Sequence, residues 1–216
     1  MKGKLGVRVL VLVSAVCLFF QGCAQIYKNP DFDNITKDHK RVAIVPFKVS
    51  ISQPPKDFTA EMVKDAEKNE GYMMQRQIYG KFLGHQSKGE YTIEFQDVDE
   101  TNALLAKDSI AYGNMEQYTK TDLGKVLNVD AILSASIIRT HPMSTGAAIA
   151  LGLLFFGGFG TTNRVDINVT IHEVQGNKLL WQYDHQTSGS VGSSSEELAK
   201  SLMKGISKKF PYKRKE

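Results

Sequence analysis

The clearest pattern in the chain lies at residues 164–174, where Val165, Ile167, Val169 and Ile171 alternate with Asp166, Asn168, Thr170 and His172. A period of two predicts a strand with one face in a core and one face wet. Gly176 and Asn177 supply a turn, and residues 178–189 return as a second strand with Leu179, Trp181 and Tyr183 on one face. Residues 41–47 read differently. Val42, Ala43, Ile44 and Val45 are consecutive apolar positions, which predicts a strand buried on both faces, and Pro46 should end its pairing. At 90–96, Tyr91, Ile93 and Phe95 alternate with Thr92 and Glu94, a fourth strand. Residues 130–139 form a strongly apolar strand, in which small Ser134, Ala135 and Ser136 would let a helix pack closely.

The remaining apolar positions follow a helical period. Residues 58 to about 83 place Met62, Ala66, Met73, Ile78 and Phe82 on a helix that Gly71 and Gly80 should interrupt. Residues 103–106 form a short helix, with Asp97 or Asp99 as its cap. Residues 115–127 form another, with Tyr118, Leu123, Val126 and Leu127 on its apolar side. Ser194 and Glu197 fit a capping box ahead of the stripe Leu198, Ala199, Leu202, Met203, Ile206 and Phe210, and Pro211 stops that helix. The order is β-α-β-α-α-β, a hairpin, then a helix. It predicts a single α/β domain with a mixed sheet of about five strands and helices packed on it.

The N-terminus stands outside this pattern. Lys2, Lys4 and Arg8 precede an uncharged, largely apolar run at 9–20. A twelve-residue helix rises about 18 Å, short of the ~30 Å bilayer core, so the run reads as a secretory leader rather than a span. Phe20-Gln21-Gly22-Cys23 then resembles the lipobox of bacterial lipoproteins, with Phe20 where Leu is usual and an atypical Gln21. The expected division is a signal peptide at 1–22, a lipidated polar tether at 23–40, an α/β domain at 41–212 and a basic tail at 213–216. Without the leader's three basic residues the formal net charge falls from +4 to +1. That removes the electrostatic case for nucleic-acid binding. Cys17 leaves with the leader and Cys23 carries the lipid, so the folded domain has no thiol for a disulfide, a nucleophile or a metal.

A second segment is equally distinct. Residues 142–163 contain no charge, and their centre at 146–160 is apolar and rich in glycine. An apolar connection between two strands implies burial against something. It folds back on its own domain, packs against a partner or another subunit, or enters lipid. About 15 apolar residues are too few for one spanning helix. Their Gly/Ala/Leu composition also lacks the alternation of a barrel hairpin. Shallow insertion or subunit packing is the better fit, with Ile149, Leu151, Leu153, Leu154, Phe155, Phe156 and Phe159 as the contact residues.

No catalytic constellation emerges. The five histidines, at 39, 85, 141, 172 and 185, lack zinc-protease spacing. His172 and His185 lie on two strands of one hairpin and could be neighbours, with exposed strand histidines as the simpler reading. Gly84 and Gly89 have phosphate-loop spacing, but Glu90 stands where lysine is needed. Gly158 and Gly160 precede a strand instead of opening a helix. Asp97, Asp99 and Thr101 begin like a calcium loop, yet Asn102 replaces its glycine and Asp108 its glutamate. No metal or cofactor is expected, and the chain reads as a non-enzyme.

Several segments in order resemble a known group. Residues 41–47, 95–106, 123–136 and 165–181 are similar to successive steps of the curli-secretion lipoprotein, penicillin-binding-protein-activator lipoprotein and TolB N-terminal-domain families. The resemblance implies a TolB N-terminal-like fold. It also implies a lipid-anchored, non-catalytic envelope lipoprotein that scaffolds or regulates a protein complex. The alternative is an oligomeric secretion or pore component that uses 143–162 for membrane or ring contact. Ala24 and Gln25 do not resemble an inner-membrane retention signal, so the expected location is the outer membrane, facing the periplasm. Expected partners are the membrane, through the lipid, and an envelope protein or a second copy of the chain.

Overall fold

The apolar run at 42–45 enters the middle of a sheet. The computed structural model describes residues 25–54, 56, 58–140, 164–188 and 194–214. Its strands are β1 (Gln25–Lys28), β2 (Arg41–Ile44), β3 (Lys48–Ile51), β4 (Glu94–Phe95), β5 (Ala131–Thr140), β6 (Arg164–Glu173) and β7 (Leu179–Ser188). Its helices are α1 (Phe32–Ile35), α2 (Ala60–Gln86), α3 (Val98–Lys107), α4 (Lys120–Leu127) and α5 (Ser195–Lys209). The strands form one mixed sheet in the order β1-β7-β6-β5-β2-β4, with β3 also on β5. β5 pairs in parallel with β2 and β3 on one side and antiparallel with β6 on the other.

The α/β expectation holds, with seven strands rather than about five. One added strand is β3. Pro46 does end regular pairing, but only for a few residues: β2 runs beside residues 131–133 of β5, and β3 beside 136–139. The other is β1, from the stretch expected as a tether. Gln25–Lys28 pairs with β7, and Phe32 behind it is 3% exposed and meets Tyr212 edge-on. At the far terminus, the Arg214 amide donates to the Glu90 carbonyl, so the basic tail begins tied to the fold.

Both faces of β2 are buried, as its unbroken apolar run requires. Val42 and Ile44 join the larger core under α2 and α5, while Ala43 and Val45 join a smaller core under α3 and α4. On the larger side, Phe82 stacks on Phe95 at 4.4 Å and lies against Phe210 at 4.8 Å. The stripe of α5 is buried as its period predicts, and Ser194 caps it by accepting from the Glu197 amide. The 90–96 strand contracts to two residues, but its alternation survives: Tyr91, Ile93 and Phe95 are buried between exposed Thr92 and Glu94.

Two helix expectations need correction. α2 is continuous through Gly71 and Gly80. A Cβ at Gly71 would lie 2.3 Å from the Phe47 carbonyl oxygen and 2.5 Å from the Tyr112 ring. That glycine serves close approach, not interruption. The expected helix at 115–127 is split into a 3-10 turn (Met115–Gln117) and α4. Thr119 and Asp122 form a reciprocal capping box, which starts a new helix at Lys120.

Candidate functional site

Among the described residues, the two faces of the sheet are covered unequally. The larger core extends along the β5–β6–β7 face through Leu133, Ile137, Ile167, Val169 and Tyr183. On the opposite face the smaller core ends at Ile132 and Val174. Beyond it the register aligns Ser134 with Thr170, Ser136 with Asn168, and Ile138 with Asp166. None of these six belongs to either core. Ser134, Thr170, Asn168 and Asp166 hydrogen-bond to one another or to neighbouring strand residues instead. The Ser134 and Thr170 hydroxyls lie 3.1 Å apart. The Asp184 carboxylate accepts from Asn168 at 2.5 Å and from Gln182 at 2.7 Å, and Asp166 accepts from Gln186 and Arg164. The expectation that Ser134 and Ser136 admit a helix is therefore overturned among the described residues. Only Ala135 faces the α2 and α5 side.

A groove of about 700 Å³ opens between this polar face, the Pro46 break and the turn before α4. Its apolar wall includes Val45, Val49 and Met115, and its polar lining includes Ser134, Thr170, Lys120 and His172. The Tyr112 hydroxyl at its side accepts from the Val49 amide at 2.9 Å, and burial pushes that phenol up to about 12. Glu67 accepts from the Ile51 amide at 2.8 Å. These two side chains take donors on the edge of β3 that points away from β5, so that edge is closed to strand addition. Glu70 and Arg139 form an ion pair buried on both sides, with Arg139 Nε donating to Oε1 at 2.7 Å, which fixes α2 to β5.

The histidines are placed differently from expectation. His185 pairs with Ile167 and His172 with Leu179. His185 stacks on Tyr183 on the helix-covered side, whereas His172 faces the groove. They lie on opposite faces and are not neighbours. Each has one buried ring nitrogen without a hydrogen-bond partner, Nδ1 of His172 and Nε2 of His185. Burial lowers the pKa of both, with Lys120 lowering His172 further. The calcium-like run is a helix cap: Asp97 Oδ1 accepts from the amides of Asp99 and Glu100. Among the described residues, no cluster of three or more His, Cys, Asp or Glu is placed to hold a metal ion.

Cys23 and the contact residues Ile149, Leu151, Leu153, Leu154, Phe155, Phe156 and Phe159 lie outside the described residues. Their surroundings do not. Thr140 and Arg164, which bracket the apolar segment, are direct partners at the end of the β5–β6 ladder. β1 runs antiparallel to β7 from Gln25 opposite Asp184 to Lys28 opposite Trp181. Its N-terminal end therefore points along β7 toward Ser188, which pairs with Arg164. Sequence reading missed the groove altogether. Its walls come from five separate stretches, and the one local signal was the pair of small serines on an otherwise apolar strand.

No family model matches the chain, and no curated protein matches it. Solved structures align with it at low identity. The PelC dodecamer of Paraburkholderia phytofirmans aligns with a TM-score of 0.45 and 11% identity over 91% of this chain and 100% of that one. Lipoprotein GNA1162 of Neisseria meningitidis gives 0.46 and 10% over 78% and 94%. The LpoB C-terminal domain of Salmonella enterica gives 0.35 and 8% over 74% and 94%.

Proposed function

We propose that this chain is a lipid-anchored, non-catalytic interaction module of the bacterial envelope. Cys23 carries the lipid, and the β5–β6 end of the sheet faces the bilayer. The module scaffolds or regulates a protein complex from the periplasmic side of the outer membrane. The direction of β1 carries this reading. Gln25 is already in the sheet, so chain geometry keeps Cys23 within about 8 Å of it. At Gln25, β1 is directed toward the end of the sheet that Thr140 and Arg164 form. A lipid at Cys23 and an uncharged segment at 142–163 would then meet the same surface.

The chemistry of the described residues fits a binding role. The Ser134 hydroxyl is engaged by Thr170, not by a base, and the buried His172 Nδ1 has no partner. No described helix is long and apolar enough to cross a membrane. Replacing Cys23 with Ser tests the lipid anchor. The expected result is release from the membrane fraction with folding unchanged. Retention of the Cys23→Ser chain would assign anchoring to 142–163 instead. Release of a Cys23→Ser chain that also lacks residues 144–161 would then complete that assignment.

A further inference from the structure

The groove beside α4 has a feature that neither packing nor the anchoring role explains. Lys120, at the first position of α4, and His172, on β6, both line it. They also line a second, smaller recess on the other side, so the pair stands at the junction of the two. Burial depresses the Lys120 ammonium, and the carboxylate acting on it is Glu116. Glu116 is already held by Lys48 at 2.5 Å. The groove's Glu67 is likewise occupied, by the Ile51 amide. Lys120 makes no salt bridge among the described residues, and the nearby His172 Nδ1 is buried without a hydrogen bond. A partly desolvated ammonium and an orphaned ring nitrogen cost stability where they stand. An anionic acceptor between them satisfies both when the neutral His172 ring carries its proton on Nδ1. Beside them, the Ser134 and Thr170 hydroxyls and the apolar wall of Val45, Val49 and Met115 suit the rest of such a molecule.

We propose that this groove binds a carboxylate with a short apolar body, the carboxylate seated between Lys120 Nζ and His172 Nδ1. A volume near 700 Å³ is that of a small-ligand site, too large for a single ion. The planar two-oxygen acceptor matches two donors from different elements. Two sources supply this chemistry, the free C-terminus of a peptide and a free short-chain carboxylic acid. None of the residues named at this site lies in 142–163 or at the lipidated end.

The test uses the full chain in detergent with histidine rings labelled with nitrogen-15, His172 being assigned by loss of its signal in His172→Gln. N-acetyl-Ala-Leu-Ala with a free carboxylate, the same peptide as its C-terminal amide, and hexanoate are titrated separately. At least one carboxylate probe is expected to shift the His172 ring signal. It should bind about tenfold more tightly than the amide, the equivalent of one charge-assisted hydrogen bond of ~1.4 kcal/mol. Lys120→Met should lose that preference without lowering the thermal midpoint. A shift with the peptide alone identifies a chain terminus as the source, and a shift with hexanoate identifies a small acid. Equal binding of acid and amide overturns the proposal, as does an unshifted His172 signal with both carboxylates.

Discussion

Two glycines in α2 illustrate how much a single position depends on what lies across from it. Gly80 has nothing within 4 Å of a hypothetical Cβ, whereas Gly71 sits against the Phe47 carbonyl and the Tyr112 ring. Gly80→Ala should stabilise the fold by about 0.5–1 kcal/mol, because glycine has the larger entropy to lose in a helix. Gly71→Ala should destabilise it by about 1–3 kcal/mol, because the obstruction includes backbone and must be relieved by shifting α2. Urea denaturation of both variants checks the pair; effects of the same sign would show the contact at Gly71 to be unimportant. The sequence marks both residues only as helix breakers. What was legible at this scale was local chemistry: the Asp97 cap, the Ser194 cap and the interruption at Pro46. What was not legible was any contact made by a residue distant in the chain. Tyr112 gave no sign that it reaches Val49, and Lys120 none that it lies near His172.

At the scale of elements, strands with a long and regular pattern were read correctly and short ones were not. β6 declares itself through four alternating pairs, and β2 through an uninterrupted apolar run. β1 has only Gln25, Ile26, Tyr27 and Lys28, all exposed, so no core-facing alternation separates it from a loop. β3 follows a proline and supplies one buried side chain, Val49. Its pairing is held from outside its own sequence, by β5 on one edge and by Tyr112 and Glu67 on the other. Tyr112→Phe removes the acceptor for the Val49 amide and should cost about 1–3 kcal/mol, the penalty for leaving a sequestered donor unpaired. It should also raise the amide exchange rate of Val49 selectively. A change confined to global stability, with Val49 exchange unaltered relative to its neighbours, would contradict the role assigned to this edge.

For the whole molecule, three half-buried histidines set an acid limit. Burial holds His172 and His185 below the ordinary value of 6.5, and His39 as well, despite opposing pulls from Asp130 and Glu173. As pH falls through 6.5 the unfolded chain takes up protons that the folded chain resists, so stability drops toward the depressed folded values. The urea midpoint should fall between about pH 7.5 and about pH 5.5, and a chain with His172→Gln and His185→Gln should fall less. A midpoint that rises on acidification would contradict the account.

The same scale carries the functional claim, that the module is anchored with one end of its sheet toward a bilayer. The folded domain has no native thiol, so single cysteines can report orientation. Ile138 is 46% exposed near the Thr140–Arg164 end, and Lys178 lies in the β6–β7 turn at the opposite end. The most direct measurement places a fluorophore at Ile138→Cys or at Lys178→Cys in the lipidated chain on vesicles and quenches it from within the lipid phase. The account predicts strong quenching at position 138 and little at 178. Equal quenching at the two positions, or stronger quenching at 178, would contradict it.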